Sequence, residues 1–331
     1  MERLSIFRRP ATHRLFPGAP PNRGALKNPG ALETPGVHPM SREFLSACRP
    51  LVSGIILLLG TILTASSSMT QPIDSDKPIL DHYNLASKKA ASTELAGDLR
   101  EASGLAASAD GRLYCHNDER GVVYAFDPVK GTIVKKFSVG ERTLRQDYEG
   151  IAIADSLMFL VTSSGDIIEF KEAPPEQRAS VRVYKTELGS AWDVEGLCYD
   201  PPSDALLLAC KENPIQDRFR YIYAFPLRTH RLESAPRFVI DRKKLEKEFG
   251  IKDFRPTSIE RHPASGSLIV LSSSTQAVLE LSPSGKILSA IRLDESLHRQ
   301  PEGLAIGPDL TLYICNEGKS HGTLVRYPYR H

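Results

Sequence analysis

Three glutamates in the chain share one setting, because each is followed by a glycine and a short apolar run. They are Glu149, Glu195 and Glu302. Carboxylate oxygens are the ligands that a hard cation such as Ca²⁺ prefers, and a carboxylate beside a metal ion can also act as a base. If the fold gathers these three side chains, they predict a cation site. Whether the three side chains meet depends on the strands or helices that position them.

The motif around the glutamates recurs along the chain. With Ser103 and Thr257 as the equivalents of the glutamates in two weaker copies, successive copies are 46, 46, 62 and 45 residues apart. Three or four apolar runs follow each copy, too short for helices and bounded by Gly, Pro, Asp or Asn, which is typical of strands joined by turns. Four short strands at a period of about 40–50 residues indicate a propeller blade. The sequence therefore predicts an all-β fold, a five-bladed β-propeller.

The end of the chain supports a closed ring. Only residues 328–331 follow the third strand of the last blade, so that blade lacks an outer strand. Residues 83–93 precede the first copy and belong to no blade of their own. We predict that they complete the last blade and close the ring. The alternative is a disordered lead-in, because Ala-Ser-Lys-Lys-Ala-Ala-Ser is not strand-like.

The N-terminal region differs in composition from the rest. Residues 1–50 hold eight Lys/Arg, three Asp/Glu and eight prolines, which predicts a disordered basic, Pro-rich segment. Residues 51–69 begin with fifteen uncharged residues and predict a signal peptide or a membrane-anchor helix. A signal peptide should begin near the start of a chain, so one hypothesis is that translation begins at Met40; the other is a genuine cytoplasmic tail.

The propeller is assigned to residues 70–331. Export would place it at the cell envelope, either periplasmic or secreted, or anchored to the inner membrane outside the cytoplasm. The first 50 residues carry a charge of +5 and the rest −3, with no basic patch that would indicate nucleic acid. The propeller contains four cysteines without metal-ligand spacing, and we expect four buried free thiols. They are Cys115, Cys198, Cys210 and Cys315.

The innermost strands of a propeller surround its central channel. Since each glutamate stands at the start of an innermost strand, we expect Glu149, Glu195 and Glu302 to face one another across one mouth. Loops after the second strands reach the same end and predict an outer tier of ligands, with His116 nearby. The predicted outer ligands are Asn117, Asp118, Glu212 and Glu317. Two-residue turns between the first two strands of a blade would fix the register. The predicted pairs are Glu302 with Glu317, Ser103 with Asp118 and Glu195 with Cys210.

The electrostatic repulsion between the gathered carboxylates must be offset. Two unit charges about 6 Å apart repel by about 3 kcal/mol at an effective dielectric constant of about 20. Either some glutamates bind protons with raised pKa values, or a cation lies among them. Oxygen ligands without His or Cys favour Ca²⁺ over zinc. The alternative is that each glutamate accepts hydrogen bonds from backbone amides of the neighbouring strand.

At this point the motifs resemble a known family, the bacterial SdiA-regulated, or YjiK-like, family. The resemblance covers about residues 80–331 and is carried by Ser-Gly-Leu at 103–105, His-Asn-Asp-Glu at 116–119 and the three Glu-Gly copies. It implies a five-bladed propeller behind a membrane or signal segment, a shared calcium site and no established catalytic activity. The chain departs from the pattern at Thr257 and in residues 241–254, which predict an inserted helical turn covering part of the mouth.

Two functions from different classes follow. The first is a non-catalytic, calcium-binding propeller of the cell envelope, which also binds an envelope protein or a small ligand and reaches the membrane through its N-terminal apolar segment. The second is a metal-dependent lactonase or esterase that uses the same mouth. Glu195 or Glu302 would ligate the metal, with Asn117 and Asp118 helping, and a water or a carboxylate would serve as base. His116 and Lys211 are the other nearby acid or base candidates. Lys211 is otherwise expected to balance Glu212. Trp192 is expected to pack between blades rather than to line a ligand site.

Overall fold

The computed structural model describes residues 77–117, 119–141 and 146–331. The predictions for residues 1–50 and 51–69, including a start at Met40, lie outside these residues, as does Asp118. The described strands are short and most are joined by tight turns. In chain order they are β1 (Ala91–Glu94), β2 (Ala102–Ala107), β3 (Leu113–Asn117), β4 (Val122–Phe126), β5 (Ile133–Val139), β6 (Tyr148–Ala154), β7 (Leu157–Thr162), β8 (Ile167–Phe170), β9 (Arg178–Ala179), β10 (Val181–Tyr184), β11 (Val194–Asp200), β12 (Ala205–Cys210), β13 (Phe219–Pro226), β14 (Phe238–Asp241), β15 (Ser258–Arg261), β16 (Leu268–Ser272), β17 (Ala277–Leu281), β18 (Ile287–Arg292), β19 (Pro301–Ile306), β20 (Leu312–Asn316) and β21 (Thr323–Tyr327).

Five antiparallel sheets form the blades of a propeller. Blade one contains β2 to β5, blade two β6, β7, β8 and β10, blade three β11 to β14, and blade four β15 to β18. Blade five contains β19, β20, β21 and β1, and the short strand β9 pairs in parallel with β5 at the outer edge of blade one. The first strands β2, β6, β11, β15 and β19 contact one another in sequence and form the inner ring. The predicted all-β, five-bladed propeller is confirmed.

The ring is closed by the N-terminal segment, as predicted. Strand β1 pairs antiparallel with β21, with Ala91 opposite Arg326 and Glu94 opposite Thr323. The residues before it form a short 3₁₀ turn at Leu80–His82, and Ile79 and Leu80 are fully buried between blades four and five. The closing strand is therefore shorter than residues 83–93, and the preceding residues hold it by packing.

Apolar side chains fill the spaces between blades. In the described residues they form five clusters, each lying between two neighbouring blades. Alternation along the strands produces this arrangement, because successive side chains point to opposite faces of a blade and both faces are covered. The four cysteines of the propeller are buried and free within these clusters, which confirms the prediction.

A glycine follows each motif glutamate because neighbouring inner strands approach closely. A Cβ added to Gly150 would lie 2.8 Å from the Glu195 carbonyl oxygen and 2.9 Å from the Leu197 nitrogen. In blade five, a Cβ on Gly303 would lie 3.0 Å from the Leu105 nitrogen of blade one. The glycine of each Glu-Gly pair is therefore explained by the close packing of the inner strands. This packing does not explain the glutamate.

The insertion before blade four contains the helix α1 (Arg242–Phe249), which confirms the predicted helical turn. Asp241 caps its N-terminus, and Gly250 ends it in the left-handed conformation with φ 68°. The helix packs against the outer strands β14 and β18, so it does not itself cover the mouth as expected. Among the described residues, no helix combines the length and apolar character needed to cross a bilayer.

Candidate functional site

A β-bulge stands at the start of four of the five inner strands. In each, one residue is left unpaired between two paired neighbours. The unpaired residues are Ser103, Glu149, Glu195 and Glu302. Bulges of this kind re-aim a side chain and are frequent at the rims of closed sheets. The motif glutamate is therefore the residue that the strand pairing leaves out.

The three predicted pairs between the first two strands are wrong. Glu302 does not pair with Glu317, whose N–H donates to the Gln300 carbonyl, and Val194 rather than Glu195 lies opposite Cys210. In blade one Ser103 is unpaired between Ala102, which lies opposite Asn117, and Gly104, which lies opposite His116. The bulges shift the register in all three blades. Blades one and five also have longer turns than the predicted two residues: in blade five Gly307 N–H donates to the Thr311 carbonyl, and Leu310 between them has φ 64°.

The structure brings Glu149, Glu195 and Glu302 together around the channel. Glu195 interacts electrostatically with Glu149 of the preceding blade and with Glu302, although blades three and five are not neighbours. An interaction across the ring requires side chains that face the axis. The three motif glutamates, called here the inner carboxylates, therefore lie at one mouth.

The inner carboxylates hold their protons unusually tightly. Burial raises the pKa of Glu149 to about 9, and the neighbouring Glu195 and Asp147 add to the rise. Burial also raises the pKa of Glu195 to about 8, with Glu302 and Asp193 adding to the rise and Lys211 opposing it. The pKa of Glu302 is likewise raised by burial. Ionising all three at neutral pH requires a positive charge among them.

Lys211 supplies one such charge. Its ammonium group hydrogen-bonds to Glu195 and lies 3.7 Å from the Asp193 Oδ2. Burial lowers the pKa of Lys211, but Glu195, Asp193 and Glu302 together outweigh burial and raise it above its ordinary value. The expectation that Lys211 balances Glu212 is wrong. Lys211 is instead a cation built into the mouth.

The predicted outer ligands are engaged elsewhere. Glu212 forms ion pairs with Arg220, at 3.3 Å, and with Arg255. The Asn117 side-chain oxygen accepts the Arg120 N–H at 3.1 Å. Glu317 accepts a hydrogen bond from the Gln300 side chain. Two of them still border the mouth, because Glu212 interacts electrostatically with Asp193 and Gln300 hydrogen-bonds to both Glu317 and Glu302.

Two further acidic residues lie at the mouth and were not predicted as site residues from the sequence. Asp147 hydrogen-bonds to Glu149, and Asp193 lies beside Lys211 and Glu195. Each stands two residues before a motif glutamate, so the repeated Asp-x-Glu pattern of blades two and three was the available signal. Among the described residues, no group of three or more His, Cys, Asp or Glu is spaced to hold a metal ion as the side chains stand.

The two aromatic residues singled out in the sequence have structural roles here. His116 is fully buried, its Nδ1 lies 3.0 Å from the Asn117 carbonyl oxygen, and burial lowers the pKa of its ring to about 4. Trp192 is partly buried and packs on Tyr221 and Tyr223 of its own blade, at ring-centroid distances of 5.9 and 5.6 Å. Trp192 joins the cluster between blades two and three.

Without divalent cations, stability is expected to fall as the pH rises from about 5 to about 9. Folding raises the pKa of the Glu149 carboxyl group. Such a group stabilises the folded state fully below the pKa of the unfolded chain, here 4.5, and this stabilisation is lost as the pH rises through the pKa of the folded state. Replacing Glu149 by Gln removes one such group, so we expect the Tm at pH 9 to rise by about 4 °C relative to wild type.

Thermal unfolding in a chelating buffer at several pH values measures this effect. Glu248→Gln, on the exposed face of α1, is the control and should follow the wild-type pH dependence. Equal slopes for wild type and Glu149→Gln would show that the carboxyl of Glu149 titrates normally in the folded protein.

Comparison with known proteins adds two findings. The family model described as SdiA-regulated matches residues 129–320. No curated protein sequence matches the chain. Among solved structures, glutaminyl cyclase from Myxococcus xanthus is similar with a TM-score of 0.52 and 15% identity, over 73% of this chain and 96% of that chain. A luciferin-regenerating enzyme has a TM-score of 0.47 and 11% identity, over 72% and 95% of the two chains. The first similarity supports the propeller fold alone.

Proposed function

Because the chain belongs to the SdiA-regulated family and folds as a propeller with buried carboxylates at one mouth, we propose that it is a non-catalytic calcium-binding protein of the cell envelope. The observation that carries the proposal is the electrostatic interaction of the inner carboxylates across the channel. Their donor set is oxygen only, which fits a hard cation and not zinc. Glu149, Glu195 and Glu302 would hold the ion.

Without a cation, the three glutamates remain uncharged by retaining their protons. A bound Ca²⁺ would neutralise their negative charge and so allow them to ionise. Two changes in the protein accompany binding. The glutamates release their protons, and the Lys211 ammonium leaves Glu195, because both cations compete for the same carboxylate. Ca²⁺ from solution would then replace the Lys211 ammonium as the cation beside Glu195.

The proposal of a binding role without catalysis rests on the two nearby acid and base candidates. His116 is fully buried and has a lowered pKa, so its ring has no access to a substrate at the mouth. Lys211 is held in its protonated form by Glu195, and a protonated amine cannot act as a base. A lactonase or esterase reaction would then depend on a water or a carboxylate of the mouth as its base.

The envelope location rests on the sequence of residues 51–69. Their apolar, uncharged run would carry the propeller out of the cytoplasm either as a signal peptide or as an anchor. In the envelope, the mouth with Ca²⁺ bound would bind an envelope protein or a small ligand.

Calorimetric titration of the full-length chain with Ca²⁺ tests the proposal. We expect a dissociation constant on the order of 10⁻⁶–10⁻⁵ M, and weaker binding by about tenfold or more for Glu195→Gln and Glu302→Gln, because each loses a charged ligand. Lys211→Met should bind Ca²⁺ more tightly than wild type, because the competing ammonium is gone. Glu248→Gln on α1 is the matched control and should bind as wild type.

Two outcomes would contradict the proposal. Calcium binding that is absent, or that persists unchanged in both glutamate variants, would remove the inner carboxylates from the site. Turnover of generic lactone or ester substrates that is lost in Glu195→Gln would favour the hydrolase instead. Mg²⁺ and Zn²⁺ are titrated beside Ca²⁺, and a preference for Zn²⁺ would contradict the oxygen-only donor set.

A further inference from the structure

A second cavity lies at the other end of the channel. The inner carboxylates stand at the N-terminal ends of the inner strands, whereas residues near the C-terminal ends of these strands line a cavity of about 500 Å³. Each of the five blades contributes to it. One residue from each inner strand is Ala106, Ala152, Tyr199, Glu260 and Ile306. The cavity therefore lies around the ring axis, on the face opposite the calcium mouth, and is called here the distal cavity.

The walls of the distal cavity are mainly apolar. Ile153 of the inner strand β6 also lines it, together with Pro201, Pro202 and Pro308 from the turns that follow the inner strands. An apolar concave site of this size with a few convergent polar groups is typical of small-molecule binding. The polar groups then decide what kind of molecule fits.

Most polar side chains at the distal cavity already have partners. The Arg261 guanidinium forms an ion pair with the buried Asp200. The His262 ring contacts the Tyr83 hydroxyl at 3.1 Å through Nε2 and the Ser265 hydroxyl at 3.0 Å through Nδ1. These groups hold the walls together and leave no cation to balance an anionic ligand.

Glu260 is different, because half of its carboxylate has no partner. Its Oε1 accepts the Arg261 N–H at 2.9 Å, and Oε2 accepts no hydrogen bond from the residues that the structure describes. The side chain lies deep in the channel yet remains partly exposed to the cavity. Burial raises its pKa to about 8, which shows how poorly the apolar surroundings support its charge.

From this geometry we propose that the distal cavity binds a small organic molecule with a compact apolar body and one ammonium group, which Glu260 holds. The apolar walls take the body, and the free oxygen of Glu260 accepts a charge-assisted hydrogen bond from the ammonium. A neutral ligand of the same shape would lack the ion pair. An anionic ligand would be repelled by the Glu260 carboxylate, because Asp200 already holds the Arg261 guanidinium.

The test uses three probes of similar shape and different charge on the full-length chain. They are 2-phenylethylamine, 2-phenylethanol and 3-phenylpropanoate, each titrated at pH 8.5, where the Glu260 carboxyl is mostly ionised. We expect the amine to bind about tenfold or more tightly than the alcohol, and the carboxylate to bind least. Glu260→Gln, which keeps the size and the acceptor for Arg261, should remove the preference for the amine.

Three further variants separate the distal cavity from other sites. Ala107→Leu narrows the cavity and should weaken all three probes, whereas Glu295→Gln, an exposed residue before β19, should change nothing. An amine could also bind the acidic mouth, and Glu195→Gln detects that. Loss of amine binding in Glu195→Gln but not in Glu260→Gln overturns the proposal. It is also overturned if the amine and the alcohol bind equally, or if none of the probes binds.

Discussion

Deletion of residues 77–95 from the full-length chain is expected to abolish cooperative unfolding of the propeller. The segment contains β1, which completes blade five, and contributes Ile79, Leu80 and Leu85 to the cluster between blades four and five. Each fully buried side chain of this size contributes about 1.5–3 kcal/mol. Their sum is comparable with the whole net stability of a protein, about 5–15 kcal/mol.

The deletion also leaves polar groups without partners. The fully buried carboxylate of Glu280 accepts the N–H groups of Ile79, at 2.9 Å, and Leu80, at 3.2 Å. The Tyr83 hydroxyl donates to the Leu310 carbonyl at 2.8 Å and contacts His262. A buried carboxylate that loses such donors is strongly destabilising. The deletion therefore removes contacts both at the outer edge of blade five and at the wall of the distal cavity.

Near-UV circular dichroism and thermal unfolding measure the result. A synthetic peptide of residues 77–95, added to the deletion variant, should restore a cooperative transition, because it supplies the missing strand and side chains in trans. The same peptide with Asp in place of Leu80 and Leu85 is the control and should not restore it. A deletion variant that unfolds cooperatively at the wild-type temperature would show that the ring closes without this segment.

Replacement of Gly150 by Ala is expected to destabilise the propeller by about 1–3 kcal/mol, although only one methyl group is added. The new Cβ would lie 2.8 Å from the Glu195 carbonyl oxygen and 2.9 Å from the Leu197 nitrogen. Both atoms belong to the backbone of the next inner strand, so a rotamer change cannot relieve the contact. At about 2–4 °C per kcal/mol, the Tm should fall by several degrees.

Gly97 provides the matched control for this substitution. A Cβ at Gly97 would meet no heavy atom within 4 Å, so Gly97→Ala should leave the Tm unchanged or slightly raised. Blade four has Ser258 at the equivalent position, and its hydroxyl accepts the Leu304 N–H at 3.1 Å. A side chain is therefore tolerated where the neighbouring strand offers a donor. A Gly150→Ala variant as stable as wild type would show that blades two and three are not in tight contact.

Much of the fold could be predicted because the sequence repeats its local signals. The spacing from Ser103 to Glu302 shows five copies, and the missing strand after Tyr327 indicates closure by the N-terminal segment. The register could not be predicted, because a bulge leaves no compositional mark. Pairing from the turn alone assigns a partner to Glu302, whereas the structure leaves that residue unpaired.

Part of the candidate site could be predicted from the sequence and part could not. Glu149, Glu195 and Glu302 were predictable from the repeat, because equivalent positions of successive blades face one axis. The partner of Lys211 was not, since the side chain reaches the axis instead of its sequence neighbour Glu212. The distal cavity was also hidden, because Glu260 carries no motif and becomes notable only through the apolar residues that other blades place around it.

Ring closure by β1 also has a consequence for biosynthesis. The closing strand β1 is translated before every blade, whereas its partner β21 is translated after the other four blades. Pairings between residues so distant in sequence form slowly. Until blade five is made, the cluster that buries Ile79, Leu80 and Leu85 contains only its blade-four side chains. The strand that is made first is therefore used last, and a chaperone would be needed most during this interval.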